Sequence, residues 1–459
     1  MSESRHPTRR DVLTAAAGAV GGQFVGGRPP TLLAATDPGE TKRQGPDSPG
    51  SFLLESQRMP EPRVVLPTDA LPPPQGPPKR LAAVTTAYFK YSHADDIITK
   101  FIEGYAIAGR THLPHCQVVS LAIEQFPPTD IGRGMAARYG IPLFDTPGGA
   151  LSLEGESLDV DGVILIGEHG DYPANAKGQQ LYPRRRLFEE IVKVFRRSGR
   201  SVPVYNDKHF SYSWENARWM YEQSRALGFP MMAGSSVPVA WRRPALAFRQ
   251  GITLDGALAF GFSGLEVYGF HTLELLQSFV ERRGEGAIGI KAVQCLQGAA
   301  AWDAAREGRW QADLVHEALR HLPKHKPIGT DDPEALGKAD PDAVVLLVEY
   351  RDGFQAAAYL SRGLADEFGF AARVRGAAEP VGTWSILNKP QRDHFSFLCN
   401  HVEVMFRTGR PSYPVERTYL VTGALAALID SHAAGGVRLE TPHLADLSYT
   451  PAPELTEPS

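Results

Sequence analysis

The sequence predicts an α/β protein: a doubly wound parallel sheet in the first half, then an α+β domain with an open, mainly antiparallel sheet. Three observations lead there. Between Arg80 and Ser236, short strands that are solid apolar runs alternate with amphipathic helices. Such strands are buried on both faces, as in parallel sheets. Beyond about Ala240, strands follow one another with turn signals such as Arg351-Asp352-Gly353, the mark of antiparallel neighbours. The chain of 459 residues, 42% hydrophobic and 22% charged, is long enough for two such cores.

The elements follow in order. "RLAAVTTAY", from Arg80, is a short buried strand, and "HADDIITKFIEGYAI" places Ile97, Ile98, Phe101 and Ile102 at helical spacing. "CQVVSLAIEQF" is the next strand, with Glu124 near its end. "TDIGRGMAARYG" is a helix that Thr129 or Asp130 can cap and Gly140 ends. "IPLFDT" and "VDGVILIG" are strands. "YPRRRLFEEIVKVFRRSG" is a helix with Leu187, Ile191 and Phe195 on one stripe and its arginines assigned to the other face. "VPVYND", "SWENARWMYEQSRALG" and "PMMAGSS" read strand, helix, strand. In the second half, "GALAFGFSGLEVYGFHTLELLQSFVERR" becomes clearly helical after His271. "AIGIKAVQCLQG", "DAVVLLVEYRDGFQAAAYL" and "EFGFAARVRG" are strands. "QRDHFSFLCNHVEVMFRTG" and "PVERTYLVTGALAALIDSHAAGG" are helices, placed on one face of the sheet.

The ends and the composition set further bounds. Arg9-Arg10 precede a short Ala/Gly-rich segment in "PTRRDVLTAAAGAVGG", which reads as a twin-arginine export signal over residues 1–35. A basic tail is the alternative. The segment is too short and Gly-rich to span a bilayer, and a periplasmic or extracellular location is expected. Residues 36–79, rich in Pro, Gly and Ser, read as a linker without a core of their own. The folded units are expected over 80–240 and 241–449, with a tail over 450–459. The net charge of −4 gives no reason to expect a nucleic-acid partner. Cys116, Cys295 and Cys399 form no CxxC pair, so a disulfide framework is not expected and their pairing stays open.

From Arg80 to Tyr449, several segments in order carry a likeness. "AARYGIPLFDT", "LDVDGVILIGEHGDYP", "VPVYNDKHFSYSWENA", "GLEVYGFHTLELLQSF" and the closing "PSYPVERTYLVTGALAALIDSHAAGG" resemble the Gfo/Idh/MocA oxidoreductases. The resemblance implies a Rossmann-like N-terminal domain, NAD or NADP as cofactor, and a sugar or polyol held against the C-terminal sheet. It also implies self-association through that sheet. The chain departs from the pattern at the first turn. "VTTAYFKYSHAD" has no glycine where the family carries G-x-G-x-x-G, and there glycines let the backbone approach a pyrophosphate. Thr85 and Thr86 are the phosphate donors that remain, Glu124 stands where an acid holds the ribose, and His169 lies in the loop near the cofactor.

The resemblance also assigns candidate catalytic groups. Asn206-Asp207-Lys208-His209 stands where the family has x-E-K-P, so Lys208 and Asp207 are site candidates; the bland reading is a surface pair contributing about 0–1 kcal/mol. His271 matches the family's acid–base histidine, whose ordinary pKa near neutrality suits the role. Glu274, one helical turn on, is expected to orient it. His93 with Asp95 and Asp96 reads as a cap of the first helix. His394, His401 and Glu403 read as a half-buried helix face, and no metal is predicted. Together these imply an exported sugar or polyol oxidoreductase, or an NAD-assisted glycosidase. The rival is a cofactor-free carbohydrate- or partner-binding protein on the same scaffold.

Overall fold

The computed structural model describes residues 66–330, 332–388 and 392–452. The twin-arginine segment, the linker up to residue 65 and the tail from residue 453 lie outside the described residues. The first strand, β1 (Lys79–Ala87), is buried from Leu81 to Ala87, as its unbroken apolar run requires. Helix α1 (His93–Glu103) follows, capped by the Ser92 hydroxyl, which accepts from the Asp95 N–H. The insertion after it is a small hairpin of β2 (Tyr105–Ile107) and β3 (Arg110–His112). Then come β4 (Cys116–Gln125), α2 (Gly132–Tyr139), β5 (Leu143–Phe144), α3 (Pro147–Ser152) and β6 (Gly162–Ile166). α4 (Arg184–Ser198), β7 (Val204–Asp207), α5 (Trp214–Ala226) and β8 (Met231–Gly234) complete this half.

The six strands pair in parallel in the order β5-β4-β1-β6-β7-β8. The chain winds one way from β1 through β4 to β5 and the other way from β6 onward. In a sheet of this order the strand ends beside β1 form the crevice in which ligands bind. One face is filled by Leu187, Phe188, Ile191 and Phe195 of α4, packed on Val84, Val163, Leu165 and Val204 of the strands.

The second half begins with β9 (Arg242–Arg243), β10 (Leu254–Phe262), α6 (Val267–Val280) and β11 (Ile290–Gln297). Helices α7 (Ala299–Arg306), α8 (Asp313–Arg320) and α9 (Pro333–Ala339) precede β12 (Val344–Tyr350) and β13 (Gln355–Ser361). β14 (Phe368–Val374), β15 (Val381–Ser385), α10 (His394–Thr408), α11 (Val415–Ala433), β16 (Leu439–Glu440) and α12 (Pro442–Ala445) end the fold. The eight strands run β16-β11-β12-β13-β10-β14-β15-β9. They are antiparallel except for β10 beside β13. The Arg351-Asp352-Gly353 turn joins β12 to β13 as expected, with Val344 opposite Leu360.

Three expectations change. Helices cover both faces of this sheet rather than one. α6 and α11 pack on one side, where Phe279 stacks on Phe370 at 3.9 Å. On the other side α7, α8 and α9 bring Trp302, Leu314, Ala318 and Leu336 onto Leu258, Phe260, Val345 and Tyr359. On that side these helices cover the apolar part of the sheet face. The rest of it is a charged groove of ≈ 650 Å³. Second, α10 returns to the first half and packs on α1, so the C-terminal segment completes the N-terminal layer. Third, part of the expected linker is ordered against α10. Pro67–Ala70 is a 3-10 turn, Leu66 is buried, and Thr68 and Asn400 exchange two hydrogen bonds of 3.1 and 2.9 Å. The three cysteines are buried and no disulfide joins them, and no described helix is long and apolar enough to cross a membrane.

Candidate active site

Strands β6, β7 and β8 lie side by side and end together, so the residues just past their ends converge. Gly167-Glu168-His169 follows β6, Lys208-His209 follows β7, and Ser235 follows β8. The turn after β7 is held by Asn206. Its side-chain amide reaches the carbonyls of Asp207, Lys208 and His209 at 3.2, 3.5 and 3.3 Å. Lys208 adopts φ 63, costing about 1 kcal/mol for a residue with a Cβ. Paired backbone hydrogen bonds with Gly234, both 3.1 Å, hold it there. Two further elements close the crevice: the start of α1 brings His93, and α6 brings His271 and Glu274.

Charge is arranged in pairs. The Lys208 ammonium lies 3.1 Å from Glu168, and the guanidinium of fully buried Arg184 grips the other Glu168 oxygen. Burial acts to raise the Glu168 carboxyl, but the Lys208 and Arg184 charges hold it well below the usual carboxylate range. Asp207, also buried, accepts from His93 Nδ1 at 2.6 Å. This fixes the His93 ring and leaves Nε2 as its second nitrogen. The Ser235 hydroxyl meets His271 Nδ1 at 2.7 Å.

Three of the surrounding histidines are biased toward the neutral form. Burial first, then the Lys208 charge, pushes His271 well below its ordinary value. Burial brings His169 down to about 4, and burial with the Arg184 charge lowers His209. The His93 ring lies 5.6 Å from that of His169 and 6.5 Å from that of His271. Phe395 packs on its other side at 5.0 Å. The arrangement therefore sets a carboxylate-held imidazole, a lysine and neutral imidazoles beside one another, which suits proton transfer to and from a hydroxyl.

The structure brings Lys208, Asp207 and His271 together from the two halves of the chain, as expected. Lys208 is not a surface residue, however: it is 2% exposed. Glu274 does not orient His271 directly. Its carboxylate accepts from the Ser235 N–H at 3.4 Å, so Ser235 stands between the two. Burial raises the Glu274 carboxyl to about 7 against the opposing Arg417 charge. His169 belongs to this cluster, with its ring 5.2 Å from Phe89.

The remaining candidates are engaged elsewhere. Thr85 donates to the Ala87 carbonyl at 3.1 Å and Thr86 to the Glu168 carbonyl at 2.7 Å, both buried, so neither hydroxyl is free to donate to a phosphate. Glu124 is exposed and paired with Arg186. The turn after β1 does not form a diphosphate cradle. Tyr88 is buried there with its hydroxyl 2.8 Å from Thr99. The Asp95 N–H of α1 donates to the Ser92 hydroxyl, and the first turn carries Asp95 and Asp96, paired with Lys90 and Arg392. These residues do not fit a dinucleotide in the ordinary pose.

Sequence reasoning missed His93, Arg184 and Ser235. For Arg184 a signal was present. It lies three, seven and eleven residues before Leu187, Ile191 and Phe195, on the buried stripe of α4 rather than opposite it. His93 has the spacing of a helix cap, and only the fold shows that the cap lies beside the end of β7. Nothing in the sequence marks Ser235.

No protein-family model and no curated protein matches the chain. Among solved structures it is similar to GenD2 from gentamicin A biosynthesis in complex with NAD. The identity is 15% over 81% of this chain and 99% of that one, with a TM-score of 0.49. It is similar to a myo-inositol dehydrogenase from Corynebacterium glutamicum, at 13% identity over 79% and 98% of the two chains, TM-score 0.49. A scyllo-inositol dehydrogenase from Lactobacillus casei with bound NAD(H) and scyllo-inositol is similar at 9% identity over 79% and 99%, TM-score 0.48.

Proposed function

We propose that this chain is an exported enzyme that binds a sugar or polyol in the crevice at the ends of β6, β7 and β8 and moves a proton on one of its hydroxyls. The observation that carries the reading is the buried His93–Asp207 pair, 2.6 Å long, set beside the Lys208–Glu168–Arg184 group. With Nδ1–H donated to Asp207, His93 Nε2 takes the proton from the substrate hydroxyl. The Lys208 ammonium stabilises the oxygen that loses it. His271, His169 and Ser235 supply neutral donors and acceptors, which a hydroxyl-rich ligand matches. The sugar or polyol class rests on the resemblance to the Gfo/Idh/MocA chains, and export rests on Arg9-Arg10.

A second reading, nicotinamide-linked oxidation of that hydroxyl, is favoured by the strand order β5-β4-β1-β6-β7-β8, which is that of dinucleotide-binding sheets. Both readings are tested by calorimetry against a panel of inositols, aldoses and sugar acids, with products followed by mass spectrometry. Lys208→Ala should abolish binding, while His93→Gln should retain binding and lose turnover. Lys208→Ala also leaves Glu168 with Arg184 alone and should cost roughly 3 kcal/mol, so it is assayed well below its unfolding temperature. Binding and turnover unchanged in both variants would refute the site.

A further inference from the structure

We infer that Ser235 is a positioning residue: it fixes His271 with its proton on Nε2, so that His271 meets the substrate as a hydrogen-bond donor and the role of base falls to His93. The inference deepens the preceding reading and rests on it only for the ligand that receives the donor. The tautomer itself follows from local hydrogen bonds. Past the end of β8 the chain makes a 3-10 turn, Val237–Val239. Pro238 has no N–H, and the Val237 N–H, an orphan at the start of the turn, donates to Ser235 Oγ at 3.0 Å. The Ser235 N–H donates to the Glu274 carboxylate at 3.4 Å. Ser235 is buried, so its backbone and its hydroxyl oxygen are both held in place.

A serine hydroxyl has one proton to give. Oγ already accepts from Val237, and the one acceptor within its reach among the described residues is His271 Nδ1, at 2.7 Å. With Nδ1 protonated, Oγ would receive two N–H groups and its own proton would be buried without an acceptor, which folded proteins avoid. Phe270 and Phe368 flank His271, with rings 5.6 and 6.0 Å from it, and offer no polar atom. The ring is neutral, as burial and the Lys208 charge require, so with Nδ1 bare the proton sits on Nε2. His93 is the opposite case. Its Nδ1 faces Asp207 Oδ2 at 2.6 Å, and a carboxylate only accepts, so Nδ1 carries the proton and Nε2 is bare. Two imidazoles whose rings are 6.5 Å apart thus hold opposite tautomers. A hydroxyl that gives its proton to His93 keeps an oxygen that His271 Nε2–H and Lys208 stabilise, and His271 does not change its protonation.

The test is long-range nitrogen–proton correlation NMR of ligand-free, mature protein with isotope-labelled histidine, near neutral pH. The His271 and His93 signals are assigned by their loss in His271→Gln and His93→Gln. The expected spectrum shows His271 protonated on Nε2 and bare on Nδ1, and His93 the reverse. A proton on His271 Nδ1, or averaging between its two tautomers, overturns the inference, and the wild-type protein alone decides this. Ser235→Ala should release His271 to an averaged pattern with His93 unchanged, and Ser235→Thr, which keeps the hydroxyl, should restore it. A His271 pattern unmoved in Ser235→Ala overturns the role of Ser235. On a sugar or polyol that is turned over, Ser235→Ala should lower kcat/KM roughly tenfold, the worth of one hydrogen bond, with recovery in Ser235→Thr. Because the spectra need no ligand, failure of the whole sugar panel to bind sinks the proposed substrate class and leaves the tautomers standing, whereas the wrong His271 tautomer sinks this inference alone.

Discussion

Replacing Glu274 with glutamine should remove a pH-dependent loss of stability that the wild type suffers between pH 4.5 and about 7. Glu274 is 1% exposed. It faces the Ser235 N–H, the Thr418 hydroxyl and Gly234, with Arg417 and Glu281 beyond. Burial is the largest influence on its carboxyl, which rises from 4.5 to about 7 although Arg417 opposes it. The folded protein therefore holds this proton more tightly than the unfolded chain does. The contribution is fully present below pH 4.5, is lost as pH rises through about 7, and is flat above. At about 1.4 kcal/mol per pH unit, that window corresponds to roughly 3 kcal/mol. Glutamine keeps the shape and an acceptor oxygen but does not titrate. Urea unfolding of both proteins at pH 5 and pH 8 measures the difference directly. Asp96, raised to about 6, and His169, lowered to about 4, titrate in both and cancel in the comparison. The wild type should lose about 2.5 kcal/mol relative to Glu274→Gln between the two pH values, because pH 5 already lies inside the window. Parallel behaviour within about 0.5 kcal/mol, the scatter of neutral substitutions, would show that burial does not control this carboxyl.

Gly234→Ala tests the same corner by sterics. Gly234 has φ 124, and a Cβ would meet Thr418 Oγ1 at 2.6 Å and Glu274 Oε2 at 2.7 Å, so thermal denaturation should reveal a loss of roughly 3 kcal/mol. A variant as stable as the wild type would mean that the β8 end relaxes freely. Changing Arg9 and Arg10 together to lysine should leave the protein in the cytoplasm on fractionation, and undiminished export would remove the twin-arginine reading.

The fold was legible because its signals are local and repeated. Solid apolar strands such as Val163-Ile164-Leu165-Ile166 can only be buried on both faces, and capped amphipathic helices between them leave few arrangements. The helices over 299–339 were not read, because Trp302, Trp310 and Leu336 become one apolar surface only when brought together on the sheet. The site was legible in part. Lys208 and Asp207 stand out because polar residues close an apolar strand. His93 did not, since its partner Asp207 is 114 residues away and its local context, between Ser92 and Asp95, is that of a helix start. Arg184 shows the converse error: its charge suggested solvent, but its place on the stripe of α4 required burial, and Glu168 makes that burial tolerable.

That pairing also bears on how the crevice can do chemistry while buried. Lys208 and Arg184 share a single carboxylate, Glu168, which leaves one positive charge in surplus; Asp207 supplies the compensating negative charge. With the His93 ring neutral, the four charges sum to zero. When His93 takes a proton from a bound hydroxyl, the new imidazolium lies against Asp207 and the new alkoxide is stabilised by Lys208, so the sum is still zero. Burying a net charge would cost several kcal/mol, and this transfer creates none. The neighbouring histidines do not disturb the balance, because burial and the Lys208 charge keep His271 neutral and burial keeps His169 neutral above about pH 4. Proton transfer there exchanges one set of pairs for another, with donors already in place, and that is the physical reason for assigning the chemistry to His93 and Lys208 rather than to an unpaired group on the rim.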